Sequence, residues 1–242
     1  MTNIRKLKLL NNIQFIYEIA LARLELQSFN PDLKVTNDFR EFEIKDDGNF
    51  NELKRRLAYF KTVNGDYSDY YYLQKYNQTK SVNQYLTHWI YPYKGKFHPQ
   101  MIRALMNVIK IKEGETLLDP FVGSGTAVLE AQILGVNGIG IDISPLCVLI
   151  SKVKTESVDV IDEIKKYKDY YLFKKNSKEP SDERVKNFYK VAEMMAHSDQ
   201  SRRGRNFDSS FVNDALKMIA SVEDYSNAIK KHNLKIGKTK IL

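Results

Sequence analysis

Residues 117–131, LLDPFVGSGTAVLEA, combine a short apolar run, a loop of small residues and the start of a helical pattern. The apolar run ends at Asp119-Pro120, and the helical pattern begins at Thr126. A glycine-rich turn after a strand lets the backbone approach a ligand closely, and the next helix offers free N–H groups and the positive end of its dipole. The stretch therefore predicts a buried strand, a ligand-binding loop and a helix.

The segments on either side of this stretch continue the same order of elements. Residues 137–143, NGIGIDI, predict a second buried strand, and residues 144–155, SPLCVLISKVKT, predict a second helix capped by Ser144. Upstream, PQMIRALMNVIKI predicts a helix that starts at Pro99. Strands and helices that alternate at this spacing predict a parallel, right-handed α/β unit.

Asp142 ends the second predicted strand, 19 residues after Gly123. Dinucleotide-binding folds place an acid at about this distance, where it binds ribose hydroxyls, so the pair predicts a ligand that contains a ribose. An NAD enzyme is one such candidate, but the loop lacks the third glycine of Gly-x-Gly-x-x-Gly. A nucleoside triphosphate loop would require Gly-Lys-Ser/Thr, which is also missing.

The composition describes a globular protein: 43% of the 242 residues are hydrophobic and 28% are charged. The single cysteine, Cys147, excludes an internal disulfide and a cysteine-based zinc cluster, and we predict no metal site. No signal peptide is evident, so the cytoplasm is the expected compartment. Of the net charge of +8, +6 comes from residues 151–242, which suits a polyanionic partner or a lysine-rich surface equally well.

The rest of the chain predicts four segments. Residues 1–85 are expected to be mainly helical, residues 86–156 to form the α/β core, residues 157–235 to be a basic helical insert, and residues 236–242 to start a further core strand. Aromatic residues beside Lys75 and Lys80 could stack on bases, or simply pack a loop against the domain.

Several motifs in register resemble those of DNA amino-methyltransferases, which modify adenine N6 or cytosine N4. These are Asp119-Pro120-Phe121, Gly123-Ser124-Gly125-Thr126, GIDISP at 140–145 and the upstream YPYKGKFHPQMIRAL at 91–105. The resemblance covers residues 86–154 well. It implies a partial Rossmann-like methyltransferase sheet of parallel strands with flanking helices, S-adenosylmethionine as cofactor, duplex DNA as partner and a place in restriction–modification.

The resemblance also implies roles for individual residues around the cofactor. Asp119 would attract its ammonium group, Gly123 and Gly125 would allow close backbone approach, and Asp142 would take the ribose hydroxyls. The full set of implied cofactor-binding residues is Phe97, His98, Pro99, Asp119, Phe121, Gly123, Ser124, Gly125, Thr126, Asp142, Ile143 and Pro145. Within this set, Phe97, His98 and Pro99 would close the methionine end, and Ile143 and Pro145 would flank the adenine.

The catalytic motif of this family, (Asp/Asn/Ser)-Pro-Pro-(Tyr/Phe/Trp), is missing, because no two of the six prolines are adjacent. That motif holds the target amine, and its aromatic side chain stacks on the flipped base. We therefore assign no catalytic residue. The expectation is a truncated or split enzyme. A second polypeptide or a missing C-terminal part would supply the motif and complete the sheet, and this chain alone is expected to be inactive.

Two other functions remain open on the sequence. A tRNA guanine-N2 methyltransferase shares a similar helix and Asp-Pro-Phe, usually with Gly-Thr-Gly in the loop. A non-catalytic subunit that binds cofactor or DNA also fits the missing motif. The basic loop with Arg202, Arg203 and Arg205 is a candidate phosphate contact, or else a solvated arginine cluster.

Overall fold

Two sheets organise the chain, which is described by a computed structural model at residues 4–36, 38–45, 48–174 and 178–242. The N-terminal elements are β1 (Ile4–Leu9), α1 (Ile16–Phe29), β2 (Leu33–Thr36), β3 (Glu41–Lys45), α2 (Phe50–Arg56), β4 (Phe60–Val63), β5 (Asp66–Tyr67) and α3 (Asp69–Leu73). The remaining elements are α4 (Pro99–Val108), β6 (Thr116–Asp119), α5 (Thr126–Ile133), β7 (Asn137–Gly140), α6 (Pro145–Glu156), α7 (Ile161–Lys166), α8 (Lys168–Phe173), α9 (Glu183–Arg203), α10 (Phe207–Lys231) and β8 (Thr239–Ile241).

The second sheet is parallel, in the order β6-β7-β8. Leu118 of β6 pairs with Ile139 of β7, which pairs in turn with Lys240 of β8. The α/β class, the partial parallel sheet and the strand near residue 240 are thus confirmed. Helix α5 ends just before Gly135, whose φ of +75° reverses the chain towards β7.

The two faces of the parallel sheet are covered unequally. On one face, α5 packs so closely that a Cβ on Gly138 would lie 3.1 Å from the Val128 side chain. The opposite face leaves Leu118 58%, Ile141 40% and Leu242 54% exposed. The prediction that β6 is a buried strand is therefore wrong for its outward face, because no described residues cover that face.

The prediction of a mainly helical N-terminal region is wrong, because this part contains an antiparallel sheet in the order β2-β3-β1-β4-β5. The apolar spacing of residues 4–28 suggests a single helix, but β1 occupies residues 4–9 and α1 starts only at Ile16. Alternate residues of β1 are buried, which is the period-two pattern of a strand. Apolar spacing across the two elements resembled a helical period by coincidence.

The second N-terminal helix is shorter than the sequence predicts. FNELKRRLAYFKT, residues 50–62, reads as one amphipathic helix, whereas α2 ends at Arg56 and β4 begins at Phe60. Asn64 and Gly65, both with positive φ (52° and 93°), form the two-residue turn that joins β4 to β5. An Asn-Gly pair after a β-branched run is a hairpin signal, and it was available in the sequence.

Between residues 157 and 235, the described residues form α7, α8, α9 and α10, joined by non-helical segments such as residues 204–206. Helices α9 and α10 form an antiparallel hairpin, and α9 packs against α6. Apolar residues of the hairpin share one buried core with the antiparallel sheet, so the N-terminal part and the insert are packed together. Within the described residues, no helix is both long enough and apolar enough to cross a membrane.

Candidate functional site

The glycine loop has a backbone conformation that requires glycine at Gly125. Its φ is +80°, and it precedes the first turn of α5. A Cβ at this position would lie 2.9 Å from Oγ and 3.1 Å from Cα of Ser151 on α6. The Ser151 hydroxyl also donates to the carbonyl of Gly123 at 3.0 Å. The loop is therefore fixed against α6. Because its glycines have no side chains, its backbone at these positions stays accessible to a ligand.

Asp142 lies beside this loop, two residues after β7, because the strand predicted over residues 137–143 ends earlier, at Gly140. One carboxylate oxygen accepts the N–H of Ser144, and the other accepts the N–H of Gly123, each at 2.9 Å. These two backbone N–H groups lower the pKa of Asp142 below its usual value. An ionised carboxylate is thus held at the mouth of the loop.

Other loop residues present groups that a ligand would use. Ser124 and Thr126 are buried, and their hydroxyl oxygens have no hydrogen-bond partner among the described residues. A buried hydroxyl without a partner is costly, and a polar ligand at the loop would satisfy it. By contrast, the side chains of Phe121 and Ile143 are 85% and 100% exposed, so both offer apolar surface beside the loop.

The remaining predicted residues lie at the ends of the flanking elements. Asp119 ends β6 and accepts the N–H of Phe121 at 3.1 Å, while Pro145 is the first residue of α6. Exposed His98 precedes α4, and its Nδ1 lies 3.1 Å from Nδ2 of Asn83.

Phe97 is 59% exposed, whereas Pro99 is buried as the first residue of α4. Neither the Phe97 ring nor the His98 ring has a recorded contact with the glycine loop.

Tyr93 provides the contact between this upstream segment and the loop. A Cβ on Gly123 would lie 3.4 Å from the Tyr93 ring, and the Tyr93 hydroxyl is 3.5 Å from Sγ of Cys147. Cys147 is buried, as expected for a small apolar side chain. Tyr93 is not among the predicted site residues, although its place in YPYKGKFHP was an available signal.

A buried polar cluster behind the loop was also missed. Glu130 of α5 is fully buried and accepts hydrogen bonds from the Tyr85 hydroxyl, from Nε2 of His88 at 2.8 Å and from Nη1 of Arg103 at 3.2 Å. Burial alone would raise the pKa of Glu130, but His88 and Arg103 lower it overall. An ionised Glu130 can only accept, so the neutral His88 ring donates through Nε2. This cluster ties α5 to α4 and to the segment around residue 88.

We expect His88 and Glu25 to impose opposite pH dependences on stability. Burial lowers the pKa of His88 to about 4. As the pH falls, the native state therefore protonates His88 at a lower pH than the unfolded chain does. The free energy of unfolding should therefore rise between pH 4 and 6.5 on this account. Burial raises the pKa of Glu25 to about 7, so this group makes the same free energy fall as the pH rises from 4.5 to 7.

Thermal unfolding across pH 4–7 would separate the two contributions. The variant Glu25→Gln should become more stable as the pH rises towards 6.5, and His88→Gln should become less stable over the same interval. His98→Gln, which replaces an exposed imidazole, is the control and should keep the wild-type profile. Parallel profiles for all four proteins would contradict these assignments.

The three predicted phosphate-contacting arginines differ in their surroundings. Arg203 and Arg205 both pair with Asp199, at 2.9 Å and 2.6 Å. Arg202, at the end of α9, instead lines a cavity together with residues 79–96. Of the three, it is therefore the one that shares a cavity with Tyr93, the residue that contacts the glycine loop.

Comparisons with known proteins match the chain to two methyltransferase families. The family model for DNA methylases matches residues 26–153, and the model for the RMKL-like methyltransferase domain matches residues 90–217. The chain is 44% identical over 73 residues to Type II methyltransferase M.MjaII of Methanocaldococcus jannaschii, which covers 30% of the chain and 14% of that protein.

Two further relatives show the same kind of partial match. Type II methyltransferase M.BsoBI of Geobacillus stearothermophilus is 45% identical over 64 residues, or 26% of the chain and 12% of that protein. A tRNA (guanine(10)-N2)-dimethyltransferase of M. jannaschii is 33% identical over 78 residues, or 32% of the chain and 22% of that protein. The matched parts thus span less than a quarter of each relative. Because the DNA methylase model matches more than half of the sequence, this chain belongs to the DNA methylase family.

Proposed function

We propose that this chain is the S-adenosylmethionine-binding part of a site-specific DNA methyltransferase that modifies adenine N6 or cytosine N4. The observation that most supports it is the contact between the Asp142 carboxylate and the N–H of Gly123. It brings an acid suited to ribose hydroxyls against a loop suited to close backbone approach. Two relatives named as Type II methyltransferases support DNA as the substrate and a role in restriction–modification.

The residues around the loop fit the cofactor. Asp142 would accept hydrogen bonds from the ribose hydroxyls, and the backbone at Gly123 and Gly125 would lie against the ligand. The unpaired hydroxyls of Ser124 and Thr126 would gain partners. When bound, the cofactor supplies an electrophilic methyl group; the protein's own residues hold and orient it.

The two ends of the cofactor would be bound by different residues. Exposed Ile143 and Phe121, together with Pro145 two positions after Ile143, would cover the adenine with apolar surface. Asp119 would attract the ammonium of the methionine moiety, and the segment Phe97-His98-Pro99 would close that end. Tyr93 would hold this segment against the loop.

The target amine needs a pocket that these 242 residues lack, since no Pro-Pro pair occurs among them. We propose that residues outside this sequence, or a second polypeptide, supply that pocket and cover the bare sheet face around Leu118 and Ile141. Strands of parallel sheets are normally covered on both faces, and β6 lies at an edge of the observed sheet. Both features suit the addition of further strands and helices there.

Isothermal titration of the chain with S-adenosylmethionine tests the cofactor assignment directly, with NAD⁺ as the matched competitor for a ribose site. We expect saturable binding of S-adenosylmethionine and much weaker binding of NAD⁺. A chain that binds neither ligand would contradict the proposal. Methyl transfer to duplex DNA should require an added polypeptide with the Pro-Pro motif, and robust transfer by the chain alone would refute that requirement.

A tRNA guanine-N2 methyltransferase is the second candidate function. The RMKL-like methyltransferase match and the tRNA-modifying relative favour it. Offering tRNA and duplex DNA as acceptors to the reconstituted enzyme separates the two candidates. Transfer to neither acceptor, with cofactor binding intact, would instead indicate a non-catalytic subunit.

A further inference from the structure

A cavity of about 610 Å³ lies between residues 79–96 and the tip of the α9–α10 hairpin. We name it the basic aromatic cleft. Its charged lining consists of Lys80, Lys94, Lys96 and Arg202, and none of the described lining residues is acidic. Four cations without a carboxylate form a site for a polyanion, because each phosphate they neutralise releases bound counterions.

Aromatic side chains line the same cleft. Trp89, Tyr91 and Tyr93 are all half-buried there. The Trp89 ring is held by its N–H bond to the Ser221 hydroxyl, at 2.5 Å, and by Lys217, whose Nζ is 4.6 Å from the ring centre. Fixed aromatic rings beside cations are the surface on which unstacked bases bind.

Lys96 gives the cleft a positively charged group that is already held in position. Its ammonium donates to Oε1 of Gln84 at 2.9 Å and to the carbonyl of His88 at 2.8 Å, so the side chain is held in place. Burial lowers the pKa of Lys96 to about 8, and a phosphate nearby would favour its charged form. Lys80, Lys94 and Arg202 are exposed, and none of them forms a salt bridge with an acidic side chain among the described residues.

The cleft adjoins the candidate cofactor site through one residue. Tyr93 lines the cleft and also contacts Gly123 of the glycine loop. A strand bound in the cleft would therefore run beside the place where the methyl donor is proposed to lie.

We propose that the basic aromatic cleft binds the sugar–phosphate backbone and an unstacked nucleotide of the acceptor DNA strand, next to the nucleotide that is methylated. This inference rests on the proposed function for its choice of DNA. It selects Arg202 rather than Arg203 or Arg205 as the phosphate contact of the basic loop, and it adds Lys94 as a second one.

The only tryptophan of the chain, Trp89, lies in the cleft and provides the measurement. Titration of the full chain with duplex DNA should quench its fluorescence. The double variant Lys94→Ala/Arg202→Ala should bind duplex DNA about tenfold more weakly at low salt. The slope of the logarithm of its association constant against the logarithm of salt concentration should be smaller in magnitude by about two. Tyr91→Ala should weaken binding of a single-stranded oligonucleotide about tenfold with the salt slope unchanged.

Arg203→Ala/Arg205→Ala is the matched control, since it also removes two positive charges, at the end of α9 and just after it but outside the cleft, and it should bind DNA nearly as the wild type does. Wild-type affinity of the Lys94/Arg202 variant, or an equal loss in the control, would overturn the inference. Tighter binding of a hairpin RNA than of duplex DNA would overturn the choice of DNA.

Titration of the same variants with S-adenosylmethionine distinguishes the two proposals. The cleft variants should bind the cofactor as the wild type does. If the wild type does not bind the cofactor but the cleft variants lose DNA binding, the proposed function is refuted and the cleft assignment stands. If the wild type binds the cofactor but the cleft variants bind DNA as tightly as the wild type does, the cleft assignment is refuted and the proposed function stands.

Discussion

Replacing Asp142 with alanine is expected to weaken S-adenosylmethionine binding by at least about a hundredfold. Under the proposed function this carboxylate accepts hydrogen bonds from two ribose hydroxyls. Hydrogen bonds to a charged group contribute about 1.5–3 kcal/mol each. A loss of about 2.7 kcal/mol corresponds to a factor of a hundred in the dissociation constant. The variant also frees the N–H groups of Gly123 and Ser144, which loosens the loop.

Isothermal titration checks this, with circular dichroism to verify folding. Asp162→Ala is the control, because it removes an exposed carboxylate from α7, away from the loop. Asp142→Asn should show a smaller defect than alanine, since one oxygen remains as acceptor. Unchanged cofactor affinity in Asp142→Ala would remove the main support for a ribose-binding role.

The glycine loop and its acidic partner could be predicted because the relevant information is local. Gly123, Gly125 and Asp142 have positions set by the ends of adjacent parallel strands, and those ends meet at one edge of the sheet. The motif spacing therefore specifies the contact before any packing is known. Loops of this kind are among the most predictable parts of an α/β protein.

The antiparallel N-terminal sheet could not be predicted by the same reasoning. The buried residues of β1 alternate, but Leu7, Leu10 and Ile13 also fit a helical period, and pairing with β3 and β4 decides between them. Those pairings join residues far apart in the sequence. Two local signals are present in the sequence: the strand-like FREFEI at residues 39–44, which overlaps β3, and the Asn64-Gly65 turn.

The exposed face of the parallel sheet illustrates a different limit. The sequence predicted too few strands for a complete sheet, and the structure has three, ordered β6-β7-β8. An apolar strand is expected to be buried, and this expectation fails at Leu118. Apolar sequence indicates a surface that is meant to be covered, while the structure shows whether the described residues cover it.

Replacing Glu130 with alanine is expected to lower the free energy of unfolding by about 3–5 kcal/mol, because it leaves the buried guanidinium of Arg103 without its carboxylate. The hydroxyl of Tyr85 and the imidazole of His88 lose their acceptor as well. Since a domain of this size unfolds at roughly 2–4 °C lower temperature per kcal/mol, the melting temperature should fall by about 10 °C. Thermal and urea unfolding would measure the change.

Glu163→Ala is the matched control for this effect. Glu163 pairs with Lys166 at 3.1 Å on an exposed surface, and such pairs contribute about 1 kcal/mol or less. The isosteric Glu130→Gln should be destabilised too, because an amide cannot neutralise Arg103. The cluster also holds α5 to the segment before Tyr93, so Glu130→Gln should weaken cofactor binding even at temperatures where it remains folded. A Glu130→Ala protein as stable as Glu163→Ala would show that the buried cluster does not support the fold as its geometry implies.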